Sequence, residues 1–231
     1  MRSPSRAVAA SLRAAAFACS MAAFAAAPNV GAQSLPLDWG EDLDWFEAAA
    51  AAGNAEAQYR LGLFLEQGVK REPDPAEARR WYAQAAAQDH GPAQFRLARL
   101  LQSGTGGPAN AEAAANWYRA AAAKGMAPAQ YNLAIMLERG LGIPESATEA
   151  AGYYEAAARG GIGAAAANLG LMYLDGRGVE ADLVMALAWL TLAVEAETPG
   201  AAAARDALIA GLGEGERDQV AERVRALKGN S

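Results

Sequence analysis

Aromatic residues recur in this chain at one fixed interval: Trp45, Trp81, Trp117, Tyr153 and Trp189 each lie 36 residues from the next. A spacing held that strictly describes one supersecondary unit copied along the chain, so a stack of like units is expected rather than a single globular core. Other columns keep the same period. Seven residues before each aromatic stand Asp38, Asp74, Asn110, Ser146 and Asp182, whose side chains can accept hydrogen bonds from the free N–H groups of a helix's first turn. Glu41, Glu77 and Glu149 follow three of these at capping-box spacing, and Pro75 holds a first helical position, where its missing N–H costs nothing. A helix A is therefore predicted in each unit, from the cap through the aromatic to about seven residues beyond it.

A helix B follows. The segments at 57–68, 93–104, 129–140 and 165–176 stand in register, with Ala57, Leu61 and Leu65, and their counterparts Ala93, Leu97, Leu101 and Ala129, Leu133, Leu137, at spacings that share one helix face. Each segment ends on Gly68, Gly104, Gly140 or Gly176, where a left-handed C-cap is cheapest for glycine. Small residues keep register too: Ala49, Ala85, Ala121 and Ala157; Ala50, Ala86, Ala122 and Ala158; Gly62, Ala98, Ala134 and Gly170. Such columns let paired helices approach closely, and alanine is also the best helix former. The aromatic pairs Trp81-Tyr82 and Trp117-Tyr118 are read as core that fills the wider gaps. The expected fold is all-α: an α/α solenoid (superhelix) of 36-residue helix-turn-helix repeats with a C-terminal capping helix.

The unit Ala-Gln-aromatic-x-Leu-Gly/Ala, then Gly-x-Gly, a cap, and Ala-x-x-Trp-Tyr-x-x-Ala-Ala resembles the Sel1-like repeat, a relative of the tetratricopeptide repeat with a slightly longer loop. The resemblance covers about 38–198, with units starting near 38, 74, 110, 146 and 182. Gly140-Leu141-Gly142 and Gly176-Arg177-Gly178-Val179 fit its loop closely, whereas Lys70 stands where the first copy should carry its second loop glycine, which predicts a different turn there. The fifth copy keeps Trp189 and Ala193 and then loses register, which displaces its helix B to about 204–212. Residues 199–231 read as a degenerate repeat end and cap helices. Val220, Val224 and Leu227 give the cap a narrow apolar stripe, and a terminal repeat needs a polar outer face. A charged terminal helix is also what the resemblance implies; a partner-docking helix is the alternative.

The first 32 residues differ in kind. Arg2, Arg6 and Arg13 precede an Ala-rich apolar run from Ala14 to Ala27, and Val30-Gly31-Ala32 offers small residues to a signal peptidase. A secretory signal over 1–32 is expected, cleaved after Ala32 rather than after Ala27, which Pro28 follows; residues 33–37 are then a short linker. The run is too short for a good permanent span, and Ala16-Phe17-Ala18 before Cys19 lacks the leucine usual in a lipidation signal. Cleavage leaves 17 basic against 26 acidic residues, a net charge of −9, and removes the single cysteine. The mature chain can form no disulfide, and its charge disfavours nucleic acid and anionic membrane surfaces. A periplasmic or secreted location in a bacterium is expected.

Little points to chemistry. His90, the one histidine, is read as a solvent-exposed turn residue, and one imidazole cannot make a zinc site. Ser-x-x-Lys, Gly-x-Ser-x-Gly and phosphate-cradling glycine loops are absent. Asp38, Glu41, Asp42, Asp44 and Glu47 lack the turn glycine and ligand spacing of a calcium loop and suit the first turns of a helix. No catalytic residue, metal site or cofactor is expected. The reading is a non-catalytic protein–protein interaction scaffold or adaptor of the bacterial cell envelope, which binds a partner peptide or helix along the concave side lined by helices A. The candidate partner-binding residues are Arg79, Arg80, Gln84, Asn116, Arg119 and Lys124, with Arg60 and Arg96 on helices B; Asn132 and Asn168 are assigned either to that surface or to bonds with loop backbone. The alternative is a cell-wall glycan-binding or hydrolase-like repeat protein, whose aromatic columns stack on sugars.

Overall fold

The computed structural model describes residues 43–210 and 212–229, and these form 11 helices and no strand. The signal segment, the linker, Asp38, Glu41 and Asp42 lie outside the described residues. The chain forms an all-α solenoid of units about 36 residues long, and its described part falls into two bodies, 43–145 and 146–229.

The first body holds α1 (Leu43–Ala51), α2 (Ala55–Gln67), α3 (Pro75–Ala87), α4 (Gly91–Ser103), α5 (Ala111–Ala123) and α6 (Ala127–Arg139). The odd-numbered helices are helices A. Their caps work as the sequence implies: the Glu77 N–H donates to Asp74 Oδ1 at 2.9 Å and the Ala113 N–H to Asn110 Oδ1 at 2.9 Å. The reciprocal half of the capping box is not formed at Asp74. Its own N–H donates to the Leu65 carbonyl at 2.8 Å, as that of Asn110 does to Leu101 at 2.8 Å, so each cap also ties helix A to the end of the preceding helix B. Glu77, released from that duty, accepts from Trp81 Nε1 at 3.3 Å.

Helices B begin two residues before the repeated segments, at caps Asn54, His90 and Met126, and end on left-handed Gly68, Gly104 and Gly140. Lys70 corrects the expectation of a different loop: its φ of 59° matches the 73° and 72° of Gly106 and Gly142. Glycine is needed in the later copies for close approach, since a Cβ on Gly106 would lie 2.2 Å from the Pro75 carbonyl oxygen and one on Gly142 2.4 Å from the Ala111 carbonyl carbon.

Helices A and B pair through the small-residue columns. A Cβ on Gly62 would stand 2.5 Å from the Tyr82 ring. Tyr82 and Tyr118 are fully buried and donate through their hydroxyls to Glu66 Oε2 at 2.7 Å and Gln102 Oε1 at 2.9 Å, and Phe46 packs on Phe64. The tryptophans do not share this core: Trp81 and Trp117 are half-buried and Trp45 is 61% exposed. Only the tyrosine of each Trp-Tyr pair is therefore core. Consecutive helical positions point about 100° apart, so one member of an adjacent pair must leave the buried face. A third column clamps each pair: Gln58, Gln94 and Gln130 each donate from Nε2 to the carbonyl eight residues back, on Ala50, Ala86 and Ala122.

The second body holds α7 (Ala147–Arg159), α8 (Gly163–Asp175), α9 (Leu183–Glu195), α10 (Ala201–Ile209) and α11 (Glu214–Gly229). Ser146 and Asp182 cap α7 and α9 through the N–H groups of Glu149 and Met185. A Cβ on Gly170 would lie 2.9 Å from the Ala186 carbonyl oxygen, so α8 and α9 are also in close contact. Trp189 is only 2% exposed here, with the Arg159 guanidinium 6.0 Å from its ring centre. The displaced helix B is α10, which starts at Ala201 behind a left-handed Gly200 and ends at Ile209, earlier than the 204–212 expected. Helix α11 packs against α9 and buries Val220, Val224 and Leu227, with Lys228 Nζ bonding Glu195 Oε1 at 2.8 Å. Its apolar stripe is thus covered within the chain.

Candidate functional site

Burial of Ala78, Tyr82, Ala85 and Ala86 fixes the rotation of α3, and Ala114, Ala115, Tyr118, Ala121 and Ala122 do the same for α5. The opposite faces are left to solvent. They carry Arg80 and Gln84 on α3, Asn116 and Arg119 on α5, and Asp44, Glu47 and Ala48 on α1. Asp44, Arg80 and Asn116 hold one repeat column; Ala48 and Gln84 share another. The exposed helix A face of the first body therefore runs from acidic on α1 to basic and amide-bearing on α3 and α5.

The predicted residues divide on this surface. Arg80, Gln84, Asn116 and Arg119 lie on it, with Arg119 Nη1 donating to Asn116 Oδ1 at 3.0 Å and Gln84 Oε1 accepting from Gln58 Nε2 at 3.3 Å. Arg79 instead braces a loop: its Nη1 donates to the Pro108 carbonyl at 3.0 Å. Lys124 pairs with Asp89 at 2.6 Å across successive A–B turns, and that contact, with the Gln94 amide, holds the Asp89 carboxyl below its ordinary range. Arg60 pairs with Glu56 and lies 6.0 Å from the Phe46 ring centre.

Arg96 needs correcting. It is only 6% exposed, within 3.4 Å of the Glu66 carboxylate that also accepts the Tyr82 hydroxyl. α4 is packed nearly all round, so a position that looks polar and free in the sequence faces other helices of its own chain. Burial first, and Glu66 after it, push the Tyr82 phenol far above its ordinary range, and burial does the same for Tyr118. Both remain hydrogen-bond donors at any physiological pH. Of the two asparagines, Asn132 donates to Pro128 O on its own helix at 3.0 Å rather than to a loop, and Asn168 is buried.

His90 is not a free turn residue either. Nδ1 accepts the Ala93 N–H at 3.2 Å as the cap of α4, which leaves Nε2 to donate to Glu56 Oε2 at 2.9 Å, and the ring lies 4.9 Å from that of Tyr59. Burial raises the Glu56 carboxyl pKa, but the His90 and Arg60 hydrogen bonds outweigh it and hold the group below its ordinary value. The signal was present in the sequence, since His90 falls in the column of the cap Asn54.

Among the described residues no group of His, Cys, Asp and Glu could hold a metal ion, and no helix is long and apolar enough to cross a membrane. Of the acidic cluster, Glu47 pairs with Arg71 and Asp44 is solvent-facing in the first turn of α1. In the second body a crevice between α9 and α11 is lined by Asp182, Val184, Gln219, Glu222, Arg223 and Ala226.

Five stretches match the family model of the Sel1 repeat: 43–54, 55–90, 91–126, 127–162 and 163–197. Among solved structures, a Sel1 repeat protein from Oxalobacter formigenes is 27% identical with a TM-score of 0.65, over 80% of this chain and 73% of that one. The protective antigen c5321 of uropathogenic Escherichia coli, which displays the same repeat fold, is 26% identical with a TM-score of 0.55. That match covers 94% of this chain and 53% of the antigen, so this chain spans about half the antigen's length. No curated protein matches the chain.

Proposed function

This chain belongs to the Sel1 repeat family, and on that premise we propose that it is a non-catalytic scaffold or adaptor of the bacterial cell envelope, which binds a peptide or helix of another protein across the exposed faces of its helices A. The observation that carries this reading is the division of labour along those helices. The tyrosine column is consumed by the core, whereas Arg80, Gln84, Asn116 and Arg119 face solvent, with Arg80 and Asn116 in one repeat column. Grooves of stacked helix pairs are a recurrent way to hold an extended or helical segment. The charge reading of the first 32 residues supports export, and hence a periplasmic or secreted site of action. Capture from envelope extract by the mature protein, residues 33–231, tests it, with Arg80→Glu/Arg119→Glu alongside. A protein retained by the wild type and lost by the variant is expected; equal retention by both removes this surface from the function.

A second reading has one observation in its favour. Trp45 is exposed and Trp81 and Trp117 are only half-buried, as an aromatic surface for sugar rings requires. If the protein binds cell-wall glycan, soluble wall fragments will quench the tryptophan emission saturably, and Trp45→Ala will weaken that binding. An unchanged spectrum at saturating fragment rejects this alternative.

A further inference from the structure

The cations on the helices A of the first body are Arg79, Arg80 and Arg119, and among the described residues none of them pairs with a carboxylate. Arg60, Arg71 and Lys124 of the same body each do. A chain with 26 acidic residues against 20 basic ones therefore leaves three guanidinium groups uncompensated on neighbouring helices. Two contacts hold those helices side by side. Arg79 Nη1 reaches the Pro108 carbonyl ahead of α5 at 3.0 Å, and Lys124 at the end of α5 pairs with Asp89 just past α3 at 2.6 Å. The exposed faces of α3 and α5 thus form one surface. The hydrogen-bonding groups left on it are donors. Gln84 Oε1 already accepts from Gln58 and Asn116 Oδ1 from Arg119, which leaves each amide its NH2 group, and a guanidinium only donates. The carboxylates of these helices, Glu77 and Glu112, stand in their first turns, where Glu77 accepts from Trp81 Nε1. None follows in 78–87 or 113–123.

We propose that the α3–α5 face takes an acidic segment of another protein, with one carboxylate held by Arg80 and Gln84 and a second by Asn116 and Arg119. The inference rests on the scaffold reading and names the chemistry of the segment bound. Arg80 and Gln84 are one turn apart on α3, and Asn116 and Arg119 are hydrogen-bonded on α5, so each helix offers a pair of donors to a group with two acceptor oxygens. Charge-assisted bonds of this kind are stronger than neutral ones, and a planar guanidinium matches a carboxylate. Two separate donor pairs suit two carboxylates rather than one phosphate, which draws several cations to a single anion. A second copy fits less well. The acidic residues described on its α1 are Asp44 and Glu47, and Glu47 is already paired with Arg71, which leaves one carboxylate for two donor pairs. On α11 the carboxylates alternate with Arg217, Arg223 and Arg225, which would meet Arg80 and Arg119 with like charge.

The test is site-specific photo-crosslinking in the full chain, in the cells that make it, with a benzophenone amino acid at Ala87 on α3 and, separately, at Ala123 on α5. Both alanines are exposed in the last turns of their helices, so the probe leaves the core and the four donors intact. The expected result is an adduct from each position to one segment of another protein that carries at least two Asp or Glu. Its yield should fall about threefold in Arg80→Gln and in Arg119→Gln, and about tenfold in the double variant, the scale of exposed ion pairs. Arg225→Gln, which removes the same charge from α11, should leave the yield unchanged, and all these variants should melt with the wild type. Adducts to a segment of another protein without carboxylates, or a yield that falls no more in Arg80→Gln and Arg119→Gln than in Arg225→Gln, would overturn the proposal and keep the scaffold. Adducts only to a second copy, or only to this chain's own residues 1–42, would overturn both, as would the absence of any adduct at either position.

Discussion

Three residues show how local chemistry settles positions that spacing alone cannot. His90 caps α4 through Nδ1 and reaches back to Glu56 through Nε2, so one ring connects successive helices B. His90→Ala should cost about 0.5–2 kcal/mol in a urea melt, as other lost caps do, whereas His90→Asn should retain much of it. Glu56 sets a pH dependence. Its folded pKa lies below its ordinary value of 4.5, so its contribution is present above that value and is lost as pH falls through the lower, folded value. Glu56→Gln should therefore flatten the acid limb of the stability curve below about pH 4.5, measured by melts across pH. Nothing local in the sequence marks Arg96 as buried. What buries it is α4's position among its own neighbours, information held by tertiary packing and absent from the helix itself.

At the scale of the element, the caps and stops were legible because they are made within a few residues. Asp74, Asn110, Ser146 and Asp182 cap as read, and the four glycines end helices B in the left-handed conformation. The rotation of helix A was not legible, because adjacent aromatic columns repeat with one period and only the small residue opposite chooses between them. Gly62 stands against Tyr82, so the tyrosine goes in and the tryptophan stays at the surface. Two predictions follow from that fit. Gly62→Ala should overpack the α2–α3 contact and cost about 1–3 kcal/mol, and Ala121→Leu, at a fully buried position of α5, should cost a similar amount. Leu97→Ala, inside α4, should open a cavity worth about 2–5 kcal/mol in the same melts. The glutamine clamp is not legible in the sequence although Ala-Gln stands in three copies, because its acceptor is a backbone carbonyl, which no residue type announces.

Across the whole molecule the period that defines the repeats also distributes the work. On α3, α5 and α7 the inward residues are alanine or tyrosine, the turns carry caps and clamps, and what remains on the helices A of the first body is a polar face whose charge changes from α1 to α5. Helix α11 covers the second body with Val220, Val224 and Leu227, while α1 in the first body leaves Trp45 exposed. Val224→Asp should unseat that cap and expose α9, with earlier loss of helicity for residues 183–229 in hydrogen exchange and little change in 43–145. Partner binding by helices A is tested by hydrogen–deuterium exchange of the mature protein, alone and with the envelope protein it retains. Slowed exchange is expected in α1, α3 and α5, with α2, α4 and α6 unchanged. Protection confined to helices B or to their glycine loops would contradict it.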